Sequence, residues 1–294
     1  MSRPSPTDAA STHDPVPART PLGERSPTPE AYDPSLLVGL PRSEGRELLG
    51  FEGALPFTGD DLWHAWELSW LSDRGMPVVA TGRLRIPADS PRLVESKSLK
   101  LYLLSLHGKR FATLRDAAAL LQVDLSAATG AEIGVELEQI DDGGGESLAP
   151  PAVARAPGIC IDDQELVDPT FTYAPEALDD AVDARASAEE TLHSNLFLSN
   201  CPVTGQPDWA TIIVRYAGKR WNRAALLAYL VSFRQHRGFH EHCVERIFRD
   251  LWVRTRPERL SVEARFTRRG GLDINPLRSS FEERGGEIQR LWRQ

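Results

Sequence analysis

The chain has 294 residues, 41% of them apolar and 26% charged, with a formal net charge of −8. That length predicts one large or two medium domains. No apolar run approaches the ~20 residues of a membrane helix, the N-terminal MSRPSPTDAASTHD has no apolar signal core, and three cysteines without paired spacing argue against a disulfide framework and for a reducing cytoplasm.

Charge is unevenly spread. Thr211 to Gln294 holds 18 basic and 9 acidic residues, which leaves 16 basic and 33 acidic elsewhere. A basic segment in an acidic protein reads first as a set of solvated helix faces; as an anion site it suits a dinucleotide phosphate better than RNA. A polyanion would be repelled by the whole molecule, and no zinc-knuckle or RNP-type motif is present.

In chain order, residues 1–35 are rich in Pro, Ser, Thr and Ala and predict a disordered tail. Order is expected from Leu36 onward. Residues 76–87 read as a strand. Leu99 to Leu106 is apolar enough for either strand or helix. Residues 113–123 predict a helix with Leu114, Ala118 and Leu121 on one face, and Ala131 to Ile140 alternates like a half-buried strand. Residues 141–160 read as a linker. The second half repeats the grammar: a strand from Trp209 to Tyr216 ended by Ala217-Gly218, a helix from Arg223 to Gln235 burying Leu226, Leu227, Leu230 and Phe233, and a helix from His240 to Val253 with Cys243, Ile247 and Leu251 on one stripe. A last strand runs from Leu260 to Thr267. Similar element order suggests an internal duplication, although no residue-level repeat is visible.

The segment Ser199-Asn200-Cys201-Pro202-Val203-Thr204-Gly205-Gln206-Pro207-Asp208-Trp209 puts a cysteine in a Pro/Gly-rich loop, seven residues before a carboxylate. A thiol is a useful nucleophile only as thiolate, so a catalytic cysteine needs a proton acceptor or positive charge beside it. Asp208 fits that part. The same residues equally fit a buried turn cysteine and a capping aspartate.

Three further segments bear on this choice: Glu95-Ser96-Lys97-Ser98-Leu99-Lys100, Phe239-His240-Glu241, and RRGGLDINP from Arg268 to Pro276. Together with the cysteine loop they resemble, in the same order, the QueF family of NADPH-dependent 7-cyano-7-deazaguanine reductases. These enzymes make the aminomethyl precursor of the tRNA nucleoside queuosine. The resemblance covers roughly residues 36–294.

It implies that Cys201 is the nucleophile, Asp208 the proton donor and His240 the histidine beside the reacting nitrogen. Val94, Glu95, Ser96, His240 and Glu241 would bind substrate, with Glu241 at the N1/2-amino edge and Glu95 at the pyrrole side. Ser96, Lys97, Arg269 and Gly270 would contact NADPH, two of which are used per turnover. No GxGxxG follows a strand, so a Rossmann site is not expected. Arg268 and Lys100 are neighbours able to add charge there.

The fold implied is α+β: tandem tunnelling-fold modules, each an antiparallel four-stranded sheet with paired helices on one face. Their bounds would be 36–160 and 161–294. A homodimer in the cytoplasm is implied, with no direct nucleic-acid or membrane partner.

Other readings stay open. Glu95, Lys97 and Cys201 also make a nitrilase-like set, which would hydrolyse a nitrile without consuming NADPH. A non-catalytic purine-binding module would form no covalent adduct. His240, His242 and Cys243, with His236 and Cys201, invite a metal reading, but they lack HExxH or CxxC spacing; no metal is expected.

Overall fold

A computed structural model describes residues 27–51, 53–140, 153–281 and 290–294. Most of the expected tail (1–26) and of the expected linker (141–152) lies outside the described residues. Chain packing begins before Leu36: Tyr32 is half-buried and its hydroxyl donates to Asp124 Oδ2 at 2.7 Å.

The strands are β1 (Gly39–Pro41), β2 (Asp60–Ser72), β3 (Pro77–Pro87), β4 (Arg92–Val94), β5 (Arg110–Phe111), β6 (Gly134–Gln139), β7 (Ile159–Cys160), β8 (Val182–Asn200), β9 (Pro207–Trp221), β10 (Arg259–Phe266) and β11 (Leu272–Ser279). The helices are α1 (Arg42–Leu48), α2 (Ser96–Ser105), α3 (Leu114–Thr129), α4 (Arg223–Val231) and α5 (His240–Arg254). One sheet runs in the order β6-β3-β2-β11-β10-β9-β8-β7, with β5 beside β2. Its ladders are antiparallel except for the two-residue pairings of β5 with β2 and β7 with β8. The fold is therefore α+β and antiparallel, and β1 and β4 pair separately.

Two cores lie along this sheet. Leu84, Leu99, Tyr102, Leu121 and Leu125 belong to the first, and Phe197, Leu226, Phe233, Ile247 and Leu251 to the second. The seam is the β2–β11 ladder, where Trp63 pairs with Ile274 and His64 with Asp273. Leu272 and Ile274, from the second half, pack into the first core. The described part of the expected linker pairs with the second half: Ile159 lies opposite Leu192, and Ala154 opposite Leu291.

Local sequence explains the helices. Thr113 and Asp116 form a reciprocal capping box at the start of α3, and Gly130 ends it in the left-handed conformation (φ 78°). The buried stripe of α3 is Ala117, Leu121, Leu125 and Thr129, one residue displaced from the expected face; Ala118 is only half-buried. The helix expected from Arg223 to Gln235 is α4 followed by a 3₁₀ turn at Ser232–Gln235, and all four expected core residues are buried. Ala217-Gly218 does not end β9. Gly218 (φ 147°) lets the backbone pass close to Pro257 and Glu258, and the strand continues to Trp221.

The structure reveals a residue-level repeat that the sequence concealed. Tyr32 and Tyr102 both donate to Asp124 Oδ2, at 2.7 and 2.6 Å; Tyr173 and Tyr229 both donate to Asp250 Oδ2, each at 2.6 Å. Ser105 Oγ donates to the Tyr102 carbonyl as Ser232 Oγ does to that of Tyr229. Thr129 bonds back to the Leu125 carbonyl as Thr255 does to that of Leu251. Each half thus clamps its two helices and a leading 3₁₀ turn (Pro34–Leu36, Pro175–Leu178) around one shared aspartate, half-buried Asp124 in the first and fully buried Asp250 in the second.

Candidate active site

The cysteine loop is shaped by backbone bonds. Cys201 N–H donates to the Gln206 carbonyl (2.8 Å), Gly205 N–H donates back to the Cys201 carbonyl (3.0 Å), and Gly205 takes a positive φ of 67°. Thr204 N–H points at Cys201 Sγ, 3.5 Å away, a donor placed to stabilise a thiolate. Asn200 then fixes the loop against the start of α5: its side-chain amide donates to the Arg234 carbonyl (2.8 Å), and its backbone exchanges bonds with His236 and Gly238.

Phe239, the N-cap residue of α5, makes no side-chain capping bond. The helix therefore presents its electropositive end with His240 and Glu241 in the first turn. His240 stacks on Phe266 with ring centroids 3.8 Å apart and planes 11° apart. That stack aims Nε2 at Asp208 Oδ2, 3.3 Å away, too poorly aligned for a hydrogen bond, so both buried ring nitrogens remain uncommitted. Asp208, at the start of β9, is held on its other oxygen by Arg269, 2.5 Å from NH1 to Oδ1.

These groups converge. Trp63, Val94, Ser96, Cys201, Asp208, His240, Glu241 and Arg269 line one cavity of about 310 Å³, and Pro202, Gly238, Phe239 and Ile274 complete its wall. Glu241 is buried, and burial pushes its carboxyl up; Asp61 adds to the rise, while His240 and Arg42 oppose it. It makes no salt bridge among the described residues. A buried carboxylate without a counter-ion bond is suited to N–H donors brought by a ligand.

Glu95 stands differently. Its oxygens accept from Lys97 N–H (2.7 Å) and Ser98 N–H (2.8 Å), which makes it the N-cap of α2. It lies behind the wall formed by its neighbours Val94 and Ser96.

A second cavity, about 700 Å³, is lined by Ser96, Lys97, Lys100, Thr204, Gln206, His240, Thr267, Arg269, Gly270, Leu272 and Ile274. It shares Ser96, His240, Arg269 and Ile274 with the first, so the two adjoin. Arg269 and Leu272 exchange backbone bonds around Gly270 and Gly271, whose φ values are 58° and 78°. This is a two-residue hairpin turn with positive φ at both centres, which glycine adopts without strain. A Cβ on Gly270 would also come within 3.3 Å of Lys100 Nζ. Three cations around a bare glycine backbone fit the phosphates of a dinucleotide.

The structure thus brings together every site residue expected from sequence, with Glu95 one layer back. Sequence reasoning missed Trp63, which comes from the seam strand β2; Ile274 of β11 lies within the RRGGLDINP segment. Pro202 and Phe239 adjoin motif residues and were legible there. Among the described residues no group of three or more His, Cys, Asp or Glu is placed to hold a metal ion; Cys243 is buried in the second core.

Comparison with known proteins agrees in both halves. Residues 28–137 match a family described as nitrile reductase, 7-cyano-7-deazaguanine-reductase N-terminal, and residues 207–285 match one described as QueF-like protein. A protein of Chromohalobacter salexigens named NADPH-dependent 7-cyano-7-deazaguanine reductase is 50% identical over 275 residues, covering 93% of this chain and 96% of the relative. Its namesake from Xanthomonas campestris pv. campestris is 52% identical over 269 residues, covering 90% and 94%. At this identity over nearly the full length of both chains, the protein belongs to the family of NADPH-dependent 7-cyano-7-deazaguanine reductases.

Proposed function

We propose that this enzyme reduces the nitrile of 7-cyano-7-deazaguanine to the aminomethyl group at the expense of NADPH, through a covalent thioimide on Cys201, as a step toward queuosine in tRNA. The observation that carries the reading is the convergence of Cys201, Asp208, His240 and Glu241 on one cavity that adjoins a second, cationic one.

Asp208 takes the thiol proton of Cys201. Sγ adds to the nitrile carbon, one C–N π bond opens, and the proton passes to the nitrogen, leaving a neutral thioimide. NADPH, when bound, supplies hydride, and the four-electron reduction of a nitrile to an amine uses two. Ser96, Lys97, Arg269 and Gly270 would hold it, with Lys100 adding charge. The C–S bond breaks on the way to the amine and returns the thiolate, while Asp208 and His240 serve protons to the nitrogen.

Glu241 accepts from N1–H and the 2-amino group of the base, a bidentate pair that replaces the hydration it has lost. Glu95, whose oxygens accept from Lys97 N–H, Ser98 N–H and Ser96 Oγ, serves the pyrrole side. The Glu95, Lys97 and Cys201 hydrolase reading is not favoured, because relatives 50–52% identical are named for NADPH-dependent reduction, which a hydrolase would not use.

We also read the two cores and their matching tyrosine clamps as tandem tunnelling-fold modules. The outer strand β6, and β8 beyond its two-residue pairing with β7, leave edges for pairing, which supports a homodimer. A cytoplasmic location fits a soluble-substrate enzyme with three free cysteines.

The test is substrate-dependent oxidation of NADPH, followed by its absorbance, with the product identified by mass. Two NADPH per amine formed is expected. Release of ammonia and acid without NADPH consumption would overturn the reading.

A further inference from the structure

Trp63 stands on the seam strand β2, fully buried, in the wall of the cavity that holds Cys201. It lies opposite Ile274 in the β2–β11 ladder, and Ile274 and Val94, members with it of the first core, line the same cavity. The indole N–H of Trp63 is buried and makes no hydrogen bond among the described residues. Such a group can only donate, and a buried donor without an acceptor is costly. Trp66, three residues on, shows the usual remedy: its N–H donates to Asp273 Oδ2 at 2.6 Å. Among the described residues Trp221 has the other buried indole N–H without a partner, but its ring is stacked on Tyr216 at the end of β9 and lines neither cavity.

The other polar side chains around Cys201 face one another. Thr204 N–H points at Cys201 Sγ, Arg269 holds Asp208 Oδ1, Asp208 Oδ2 faces His240 Nε2, and the Ser96 hydroxyl faces Glu95 Oε1. Glu241 brings acceptors. Trp63 is therefore the side-chain donor of this cavity that neither titrates nor faces a carboxylate.

We infer that Trp63 is a specificity-determining residue for the base: its indole N–H donates to the 6-carbonyl oxygen of 7-cyano-7-deazaguanine. This rests on the reading of Cys201 and Glu241 proposed above. On that reading the nitrile stands at Cys201, Asp208 and His240 serve its nitrogen, and N1–H and the 2-amino group meet Glu241. The 6-carbonyl lies on the base between these two anchors, beside N1 and on the same side as the nitrile-bearing pyrrole carbon. Its oxygen can only accept, and neither Cys201 nor Glu241 offers it a donor. The remaining ring acceptor, N3, lies beyond the 2-amino group, on the side away from the nitrile. A donor-only group at the 6-position admits a 6-oxo base and rejects a 6-amino one, whose own N–H would meet the indole N–H.

The experiment is calorimetry in a Cys201→Ala background, where no adduct forms, with 7-cyano-7-deazaguanine and its 6-thio analogue. The analogue keeps N1–H and the 2-amino group and replaces the oxygen by sulfur, a weaker acceptor. Trp63→Phe should bind the 6-oxo base roughly five- to thirtyfold more weakly, the worth of one buried hydrogen bond, and the 6-thio base with nearly unchanged affinity. Replacing the indole of Trp63 by benzothiophene keeps the ring shape and removes only the N–H. It should give the same result, and it carries the test if Trp63→Phe does not fold. The Trp63 indole N–H resonance, identified by its absence from either variant, should move when the 6-oxo base is added and move less with the 6-thio base.

A purely structural role for Trp63 would weaken both bases alike. Equal losses for the two bases overturn the inference, as does a preference that narrows only because the 6-thio base gains. Unchanged binding of the 6-oxo base by both Trp63 variants also overturns it. Failure of the Cys201→Ala protein itself to bind the 6-oxo base would instead overturn the substrate reading beneath it.

Discussion

Arg269 NH1 lies 2.5 Å from Asp208 Oδ1, so the arginine that walls the cationic cavity also holds the carboxylate of the reacting cavity. On the proposed assignment, cofactor binding and proton handling share one side chain. Removing it should slow the chemistry even before a cofactor arrives. Arg269→Ala is expected to raise the KM for NADPH and also to slow adduct formation in its absence by roughly 10–100-fold, the worth of a charge-assisted hydrogen bond. Rapid-mixing absorbance of substrate alone with the variant checks this. Adduct formation at the parent rate would confine Arg269 to cofactor binding.

Glu241→Gln replaces a two-acceptor group by one acceptor and one misplaced donor. Substrate affinity should fall by about 2–4 kcal/mol, with a smaller effect on the turnover of bound substrate. The split between KM and kcat reads this directly. An unchanged dissociation constant would remove Glu241 from the site.

Glu245, gripped by Arg46 and Arg278 in a buried ion network at the seam, predicts how the fold responds to acid. Burial alone would push the Glu245 carboxyl up, but Arg278, Arg46 and Arg42 outweigh it and hold the group at about 2, against an ordinary 4.5. A carboxyl depressed on folding contributes stability that is present above its unfolded value and lost as pH falls through its folded one. Roughly 3 kcal/mol is therefore lost between pH 4.5 and 2. Denaturant unfolding across that window should show the loss. Glu245→Gln should flatten it, and should also lower stability at neutral pH by leaving buried arginines unpaired.

The matching tyrosine clamps make a comparative prediction. Tyr102→Phe and Tyr229→Phe each remove one hydroxyl from a shared aspartate oxygen, and each should cost about 1–2 kcal/mol of stability. The two costs should be alike because the clamps are alike. Thermal unfolding of both variants measures it; a loss confined to one half would contradict the equivalence.

Much of the site was legible because its residues fall in short runs. Cys201 and Asp208 bracket one hairpin loop, His240 and Glu241 share one helical turn, and Ser96 with Lys97 and Arg269 with Gly270 sit at a helix start and a turn. What was hidden comes from strands whose polarity masks them. In β2 the run Asp60-Asp61-Leu62-Trp63-His64-Ala65 is buried throughout, with its acids paired to Arg42, Arg85 and Arg278 and His64 to Asp273. No period of two survives that arrangement. Most of the first half of β8 is exposed and rich in Ala, Ser and Glu, so its strand character rests on pairing with β9 rather than on propensity. The repeat escaped notice because each half retains only its tyrosines, serine, aspartate and threonine, too far apart in sequence to register without the contacts between them.

The central claim is covalent chemistry at Cys201, and the most direct measurement is intact-protein mass spectrometry after incubation with 7-cyano-7-deazaguanine and no NADPH. The mass should rise by that of one substrate per chain, the added mass should map to Cys201 rather than Cys160 or Cys243, and Cys201→Ala should show none while still binding the base. Substrate-dependent NADPH oxidation by Cys201→Ala at near the parent rate would contradict the thioimide mechanism for this enzyme.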